Sequence, residues 1–324
     1  MTEQGKIDKK GAKPASLLER ADKAFGLDNL GPAKVPGNLP QPKRRPVAPE
    51  AAAPQKAPEA PQSPPAAAPK AKPEPAPEPA VELCGPFQAI DRAHLREAGL
   101  IVPEDPVTGL LEEFRIVKRD IIADARAGNG GKSRRILVCS PHQGEGKTYC
   151  ATNLAIALSA ERDVEVLLVD ADFIRPSVPA RLGIEAEHGF MDALADPSIR
   201  PESLAIKTDI PGLFVLPAGK GSAHASEYLA SARTEEVLDR LTRGAANRYV
   251  IFDTPPALAA SPAAELAAHV GQAVLVVRAD ETSRAALEDT QQLLSACANL
   301  KLLLNAARFS PSGRRFGDYY EGER

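Results

Sequence analysis

Between positions 141 and 148 the chain reads Pro-His-Gln-Gly-Glu-Gly-Lys-Thr. Two glycines set two residues apart let the backbone turn successive N–H groups toward one point, because neither has a Cβ to forbid positive φ. A ring of N–H donors attracts a phosphate. Lys147 follows, within reach of the outer phosphates of a nucleotide, and the Thr148 hydroxyl suits a hard cation such as Mg²⁺. On this reading Gln143, Gly144, Glu145, Gly146, Lys147, Thr148 and Tyr149 surround a triphosphate. The strict form of the pattern begins with glycine, and here its first position is Pro141.

Two further stretches supply acids. Val166-Leu-Leu-Val-Asp170-Ala-Asp172 and Val250-Ile-Phe-Asp253-Thr-Pro-Pro256 each end an apolar run in carboxylates. Taken alone, each Asp could serve as a helix cap or turn residue. Taken with the glycine loop, they form a set. Mg²⁺ favours one or two carboxylates with water and phosphate making up the rest, so Thr148, Asp172 and Asp253 are its candidate ligands. Asp170 is the candidate general base, and Lys147, Asp170, Asp172 and Asp253 are the candidate catalytic residues.

For these side chains to meet, the elements carrying them must be parallel strands. Apolar runs at 135–140, 164–169, 213–216, 249–253, 273–277 and 301–304 alternate with helix-like runs, notably 234–242 and 283–298. Val/Ile/Leu strands separated by helices predict an α/β, doubly wound, mostly parallel sheet, whose ligands bind beyond the carboxyl ends of the strands. Ahead of the glycine loop, residues 91–99 and 110–125 read as helices. Leu111, Phe114, Val117 and Ile121 share one face of the second, and 127–132 reads as a loop.

The first quarter of the chain differs. Sixteen prolines fall among residues 31–80, and a segment so poor in large apolar groups cannot offset its ordering entropy, so a disordered linker is predicted. Before it, residues 1–30 hold an apolar stripe of Leu17, Leu18, Ala21, Ala24 and Phe25, which fits either a docking helix or a marginal helix with no role. The expected organisation is therefore 1–30, a linker at 31–80, a folded domain at 81–308 and a tail at 309–324. Net charge is −3 over 324 residues, which does not favour nucleic acid as a partner. The four cysteines have no metal-type spacing and fit a reducing compartment. No apolar run approaches the ~20 residues needed to cross a bilayer. A cytoplasmic protein is expected, reaching the inner face of the plasma membrane through a partner.

These motifs together resemble the bacterial tyrosine kinases, a branch of the MinD/ParA-like P-loop ATPases. Residues 141–148 are similar to that family's Walker A motif, Asp170–Asp172 to its Walker A′ and Ile251–Pro256 to its Walker B. Glu112-Glu-Phe-Arg-Ile-Val-Lys118 resembles its oligomerisation helix, with Glu112, Arg115 and Lys118 aligned and lysine replacing the last arginine. The stand-alone, exosortase-associated exopolysaccharide autokinases look most similar. The resemblance implies a protein-tyrosine autokinase that uses ATP and Mg²⁺. It also implies a homo-oligomeric ring working by transfer between subunits, and a membrane polysaccharide co-polymerase or chain-length adaptor as activator. It implies Asn305 at the adenine and Tyr319 and Tyr320 as acceptors, which are two of only five tyrosines. Two other classes stay open at this point: a MinD/ParA-like ATPase switch and a non-catalytic ATP-binding scaffold.

Overall fold

The computed structural model describes residues 79–128 and 130–307. The predicted N-terminal helix, nearly all of the Pro/Ala-rich stretch, and the tail with Tyr319 and Tyr320 lie outside the described residues.

In chain order the elements are β1 (Phe87–Gln88), α1 (Arg92–Glu97), α2 (Gly109–Ala127), a 3₁₀ turn at Gly131–Arg134, β2 (Arg135–Cys139), α3 (Lys147–Ser159), β3 (Glu165–Asp170), α4 (Val178–Leu182) and α5 (Phe190–Ala195). They continue with β4 (Ile206–Thr208), β5 (Leu213–Leu216), α6 (Ala225–Leu229), α7 (Ala232–Thr242), β6 (Arg248–Asp253), α8 (Pro262–Ala267), β7 (Gln272–Arg278), α9 (Arg284–Leu293) and β8 (Leu300–Asn305). The strands form one sheet in the order β1-β4-β5-β3-β6-β2-β7-β8. Every pairing is parallel except β4 with β5.

Strand periodicity explains why both faces are covered. Ile136, Val138, Val166, Leu168 and Ile251 point to one side, where Phe114 and Ile121 of α2 and Leu154 and Leu158 of α3 meet them. Leu137, Cys139, Leu167, Val169 and Phe252 point to the other, against Val237, Leu238 and Leu241 of α7 and Leu266 of α8. A strand buried on both faces needs an unbroken apolar run, as these strands have. Thr108 starts α2 by accepting the Leu111 N–H on its hydroxyl at 3.2 Å, which satisfies one of the free donors of the first turn.

The expected helix at 283–298 ends at Leu293. Strand β1 has two residues and β4 has three, too few for a period to be read. The expected loop at 127–132 contains the start of the 3₁₀ turn. None of these differences touches the central strands β3, β6 and β2, whose carboxyl ends carry the chemistry.

Candidate functional site

Chain geometry brings the three motifs together. Strand β2 runs into the glycine loop, and α3 leaves it at Lys147. Gly144 and Gly146 take φ of 85° and 98°, values that a residue with a Cβ adopts only under strain. A Cβ on Gly146 would also lie 2.1 Å from Asn305 Nδ2. The amino terminus of α3, with its free N–H groups and positive dipole end, faces the cavity. Strand β6 lies beside β2, and β3 beside β6, with Asp170 directly opposite Asp253. Short parallel connections thus set the acids of two strands against the loop of the third.

Lys147 Nζ pairs with Asp172 Oδ2 at 3.1 Å. The Thr148 hydroxyl donates to Asp253 Oδ2 at 2.7 Å and sits 3.4 Å from Ser177 Oγ. A cavity of about 510 Å³ opens here, with Gln143, Gly144, Gly146, Lys147, Thr148, Tyr149 and Asp172 in its wall, while Asp253 lies behind Thr148 and outside that wall. Arg175, which follows the Asp-x-Asp motif one place later than in the family that the motif resembles, lines it too, as do Ser177 and Arg181, which the sequence reading missed. They belong to the loop and short helix after Asp172, where no periodic pattern marks a direction.

The two fully buried acids differ. Asp170 Oδ1 accepts the Asp172 N–H at 3.1 Å, and Oδ2 accepts those of Ser177 and Val178 at 2.8 and 2.9 Å. Burial pushes its pKa up to about 6, against the pull of those three N–H groups. Asp170 is not part of the cavity wall, so in this conformation it holds the loop that carries Asp172. Asp253 accepts one bond, from Thr148, and its Oδ1 has no partner. Burial pushes its pKa up to about 7, with Lys147 and Thr148 pulling the other way. An unpaired carboxylate oxygen in a dry site is costly unless a cation neutralises it.

Mg²⁺ fits this donor set. Among the described residues there is no group of three or more His, Cys, Asp or Glu suited to a metal, but Mg²⁺ bound with a nucleotide asks for fewer protein ligands. The orphaned Asp253 Oδ1, beside the Thr148 hydroxyl, is the observation that favours it.

Several expected site residues make other contacts within this chain. Glu145 turns away from the cavity: its carboxylate accepts the His142 N–H at 2.8 Å and the Thr282 hydroxyl. Asn305 donates Nδ2 to the Glu145 carbonyl at 2.9 Å and is not part of the cavity wall. With Arg278, which donates to the Gly144 carbonyl at 3.2 Å, these residues brace the glycine loop from outside. Lys118, expected beside Glu112 and Arg115 in an oligomer contact, is 6% exposed. Its ammonium donates to the Ala157 carbonyl at 2.9 Å and pairs with Glu161 at 2.8 Å. The long aliphatic stem lets it reach the negative end of α3 from α2. Glu112 and Arg115 pair with each other along one helix. Cys139 and Cys150 have thiols pushed by burial up to about 12, so they stay protonated and take no part as nucleophiles.

A family profile described as an AAA domain matches residues 133–307, more than half of the 324-residue chain, and spans every strand-tip motif above. The chain belongs to the AAA domain family. It is similar to the putative tyrosine-protein kinase EpsB of Ralstonia nicotianae, 32% identical over 219 residues, which are 67% of this chain and 27% of that protein. It is also similar to the tyrosine-protein kinase YwqD of Bacillus subtilis, 27% identical over 222 residues, which are 68% of this chain and 91% of that protein. The fold is shared with the kinase domain of the Escherichia coli tyrosine kinase ETK, at a TM-score of 0.54 and 21% identity over 70% of this chain and 93% of that one. The chain spans about a quarter of the length of the first curated relatives it matches. No helix among the described residues is long and apolar enough to cross a membrane.

Proposed function

We propose that this chain is an ATP- and Mg²⁺-dependent protein-tyrosine autokinase of the bacterial type. The observation that carries the reading is the joint geometry of Lys147 on Asp172 and Thr148 on Asp253 around one cavity. Relatives named as tyrosine-protein kinases support the same reading.

Thr148 and Asp253 would hold Mg²⁺, which when bound offsets the charge of the nucleotide's outer phosphates. Lys147 leaves Asp172 to reach those phosphates, and the loop N–H groups and the end of α3 steady the negative charge of the transferring group. A tyrosine oxygen forms the new bond to the γ-phosphorus as the bond to the departing ADP oxygen breaks. The phenol, with an ordinary pKa near ~10, must give up its proton to a carboxylate as it attacks. Asp170 can take it only if the loop releases one of the N–H bonds from Asp172, Ser177 and Val178. Asp172 already faces the cavity and is the second reading. The acceptors are Tyr319 and Tyr320, and transfer runs between subunits of a ring to which Glu112 and Arg115 contribute. The role is control of exopolysaccharide or capsule synthesis and export, at the inner face of the plasma membrane, through a membrane chain-length adaptor.

The test is incubation of the purified chain with ATP and Mg²⁺, followed by phosphosite mapping by mass spectrometry. Phosphate on Tyr319 and Tyr320 is expected, and its absence from both removes the acceptor assignment. Asp170→Asn and Asp172→Asn separate the two bases. The true base, once removed, abolishes the acid limb of the pH–rate profile, whereas loss of a positioning group lowers the rate and keeps that limb.

A further inference from the structure

The cavity wall holds one acid, Asp172, and three cations, Lys147, Arg175 and Arg181. Lys147 and Asp172 pair with each other. Neither arginine has an ion pair among the described residues, and Arg181 Nε is buried with no hydrogen-bond partner. Several other arginines are matched by acids, among them Arg92 by Glu104, Arg96 by Asp105, Arg240 by Glu202 and Arg248 by Glu165; what sets Arg175 and Arg181 apart is that both line one cavity. Two surplus guanidinium groups at one opening point to an anionic ligand. Burial raises the Tyr149 phenol pKa, and Arg181 is near enough to oppose that shift slightly; Arg175 is exposed at the rim.

Beside them the wall is apolar. Ile174, 65% exposed, stands next to Arg175, and Pro255, Pro256, Ala259 and Ala260 continue the surface. A flat ring with acidic neighbours matches such a rim, with the ring on the aliphatic wall and the carboxylates on the guanidinium groups.

We propose that Arg175 and Arg181, with the apolar lip of Ile174, Pro255 and Pro256, form a docking groove for acid-flanked tyrosine segments, and that residues 317–323 of this chain are its occupant. The proposal rests on the kinase reading and names that site's substrate class. Residues 317–323 read Gly-Asp-Tyr-Tyr-Glu-Gly-Glu, three carboxylates around two phenols, whereas 308–316 hold three arginines and no acid. Charge therefore orients the segment: its acidic end suits the surplus arginines and its basic stretch does not. The described chain ends at Ala307, two residues beyond Asn305, whose side chain bonds to the glycine loop. Eleven residues from there to Asp318 span at most about 36–40 Å, a reach on the scale of a domain, and the cavity lies at the same end of the sheet as Asn305.

Each exposed ion pair contributes a factor of roughly 1.4–5 in affinity and is weakened by salt. Two pairs give a preference of about 2–25-fold. The test uses the full chain with Mg²⁺ and a non-hydrolysable ATP analogue. Fluorescence anisotropy measures binding of a labelled peptide of residues 317–324 and of the same peptide carrying Asp318→Asn, Glu321→Gln and Glu323→Gln. The acidic peptide is expected to bind several-fold tighter at low salt, with the preference shrinking as salt is raised. The preference should vanish in the Arg175→Gln/Arg181→Gln double variant, with folding checked by thermal melting. The chain's own tail competes with both peptides alike, so the ratio is the readout. Equal binding of the two peptides by the unaltered chain overturns the proposal, as does a preference retained by the double variant. If the arginines serve the nucleotide instead, the double variant weakens binding of a fluorescent ATP analogue, and the unaltered chain does not distinguish the peptides. Transfer of phosphate without the preference removes the groove and keeps the kinase. The preference without transfer removes the kinase and keeps the groove.

Discussion

At their amino ends, β2 and β6 begin with Arg135 and Arg248, which are 3% and 2% exposed. Arg248 meets Glu165 at 2.8 Å and the Leu241 carbonyl at 2.9 Å. Arg135 meets Asp239 and the Thr242 hydroxyl. At the carboxyl ends of the same sheet region, Asp253 has one bond from Thr148 and no cation in ion-pair contact. Arg135 Nε is also without a hydrogen bond, but its charge is neutralised in place. One end of the sheet is complete within the chain. The other leaves a buried carboxylate oxygen of Asp253 without a partner close to a cavity that Lys147 and Thr148 line. That asymmetry separates a structural polar cluster from a functional one better than burial does, because both ends are equally buried.

The sharpest way to break the comparison is Lys147→Met. It should lower tyrosine labelling by at least about 10²-fold, the size of effect seen when one preorganised charge stabiliser is removed. Retained labelling would mean that the carboxyl-end cluster is not the working site.

Asp253→Asn should cut labelling by a similar factor, about 10²-fold, yet raise the stability of the ligand-free chain at pH 8, since it removes an uncompensated buried charge. Arg248→Met should do the reverse. By removing the bonds to Glu165, which is 37% exposed, and to the Leu241 carbonyl, it is expected to lower unfolding free energy by about 1–2 kcal/mol, with labelling retained while the chain is folded. Urea melts of both variants measure this, and stability changes of the same sign would erase the distinction between the two ends.

The pH dependence follows from Asp253. Its folded pKa of about 7 lies above the ordinary 3.8, so the folded state keeps a proton that the unfolded state releases. That contribution is fully present below pH ~4 and is lost as pH rises through about 7. Asp170, at about 6, adds a loss of the same sign. Ligand-free stability should therefore fall between about pH 4 and pH 7, and the fall should be shallower in Asp253→Asn. Parallel curves would show that Asp253 is already neutralised.

The smallest effect concerns the bond between α2 and α3. Lys118→Met keeps the aliphatic stem and loses the contacts to Ala157 and Glu161, and about 1–2 kcal/mol of stability should go with them. If stability holds and only the oligomeric state changes, Lys118 belongs to an interface after all.

The sequence alone determined the sheet class and the members of the cluster. Short Val/Ile/Leu runs alternating with helix-like runs fit strands covered on both faces, and Gly-x-Gly-Lys-Thr has few uses outside a strand–turn–helix around phosphate. Which way each side chain turns was decided only in three dimensions. Glu145 and Asn305 became braces, Lys118 became an internal ion pair, and Asp170 gave its lone pairs to the loop that carries Asp172. Thr282 and Arg278 stand more than a hundred positions from the loop they hold, and no local period records such a pairing. The physical reason is one of range. Local sequence sets the backbone's period and turns, whereas a polar side chain takes whichever unmet partner the packed strands bring within about 3 Å.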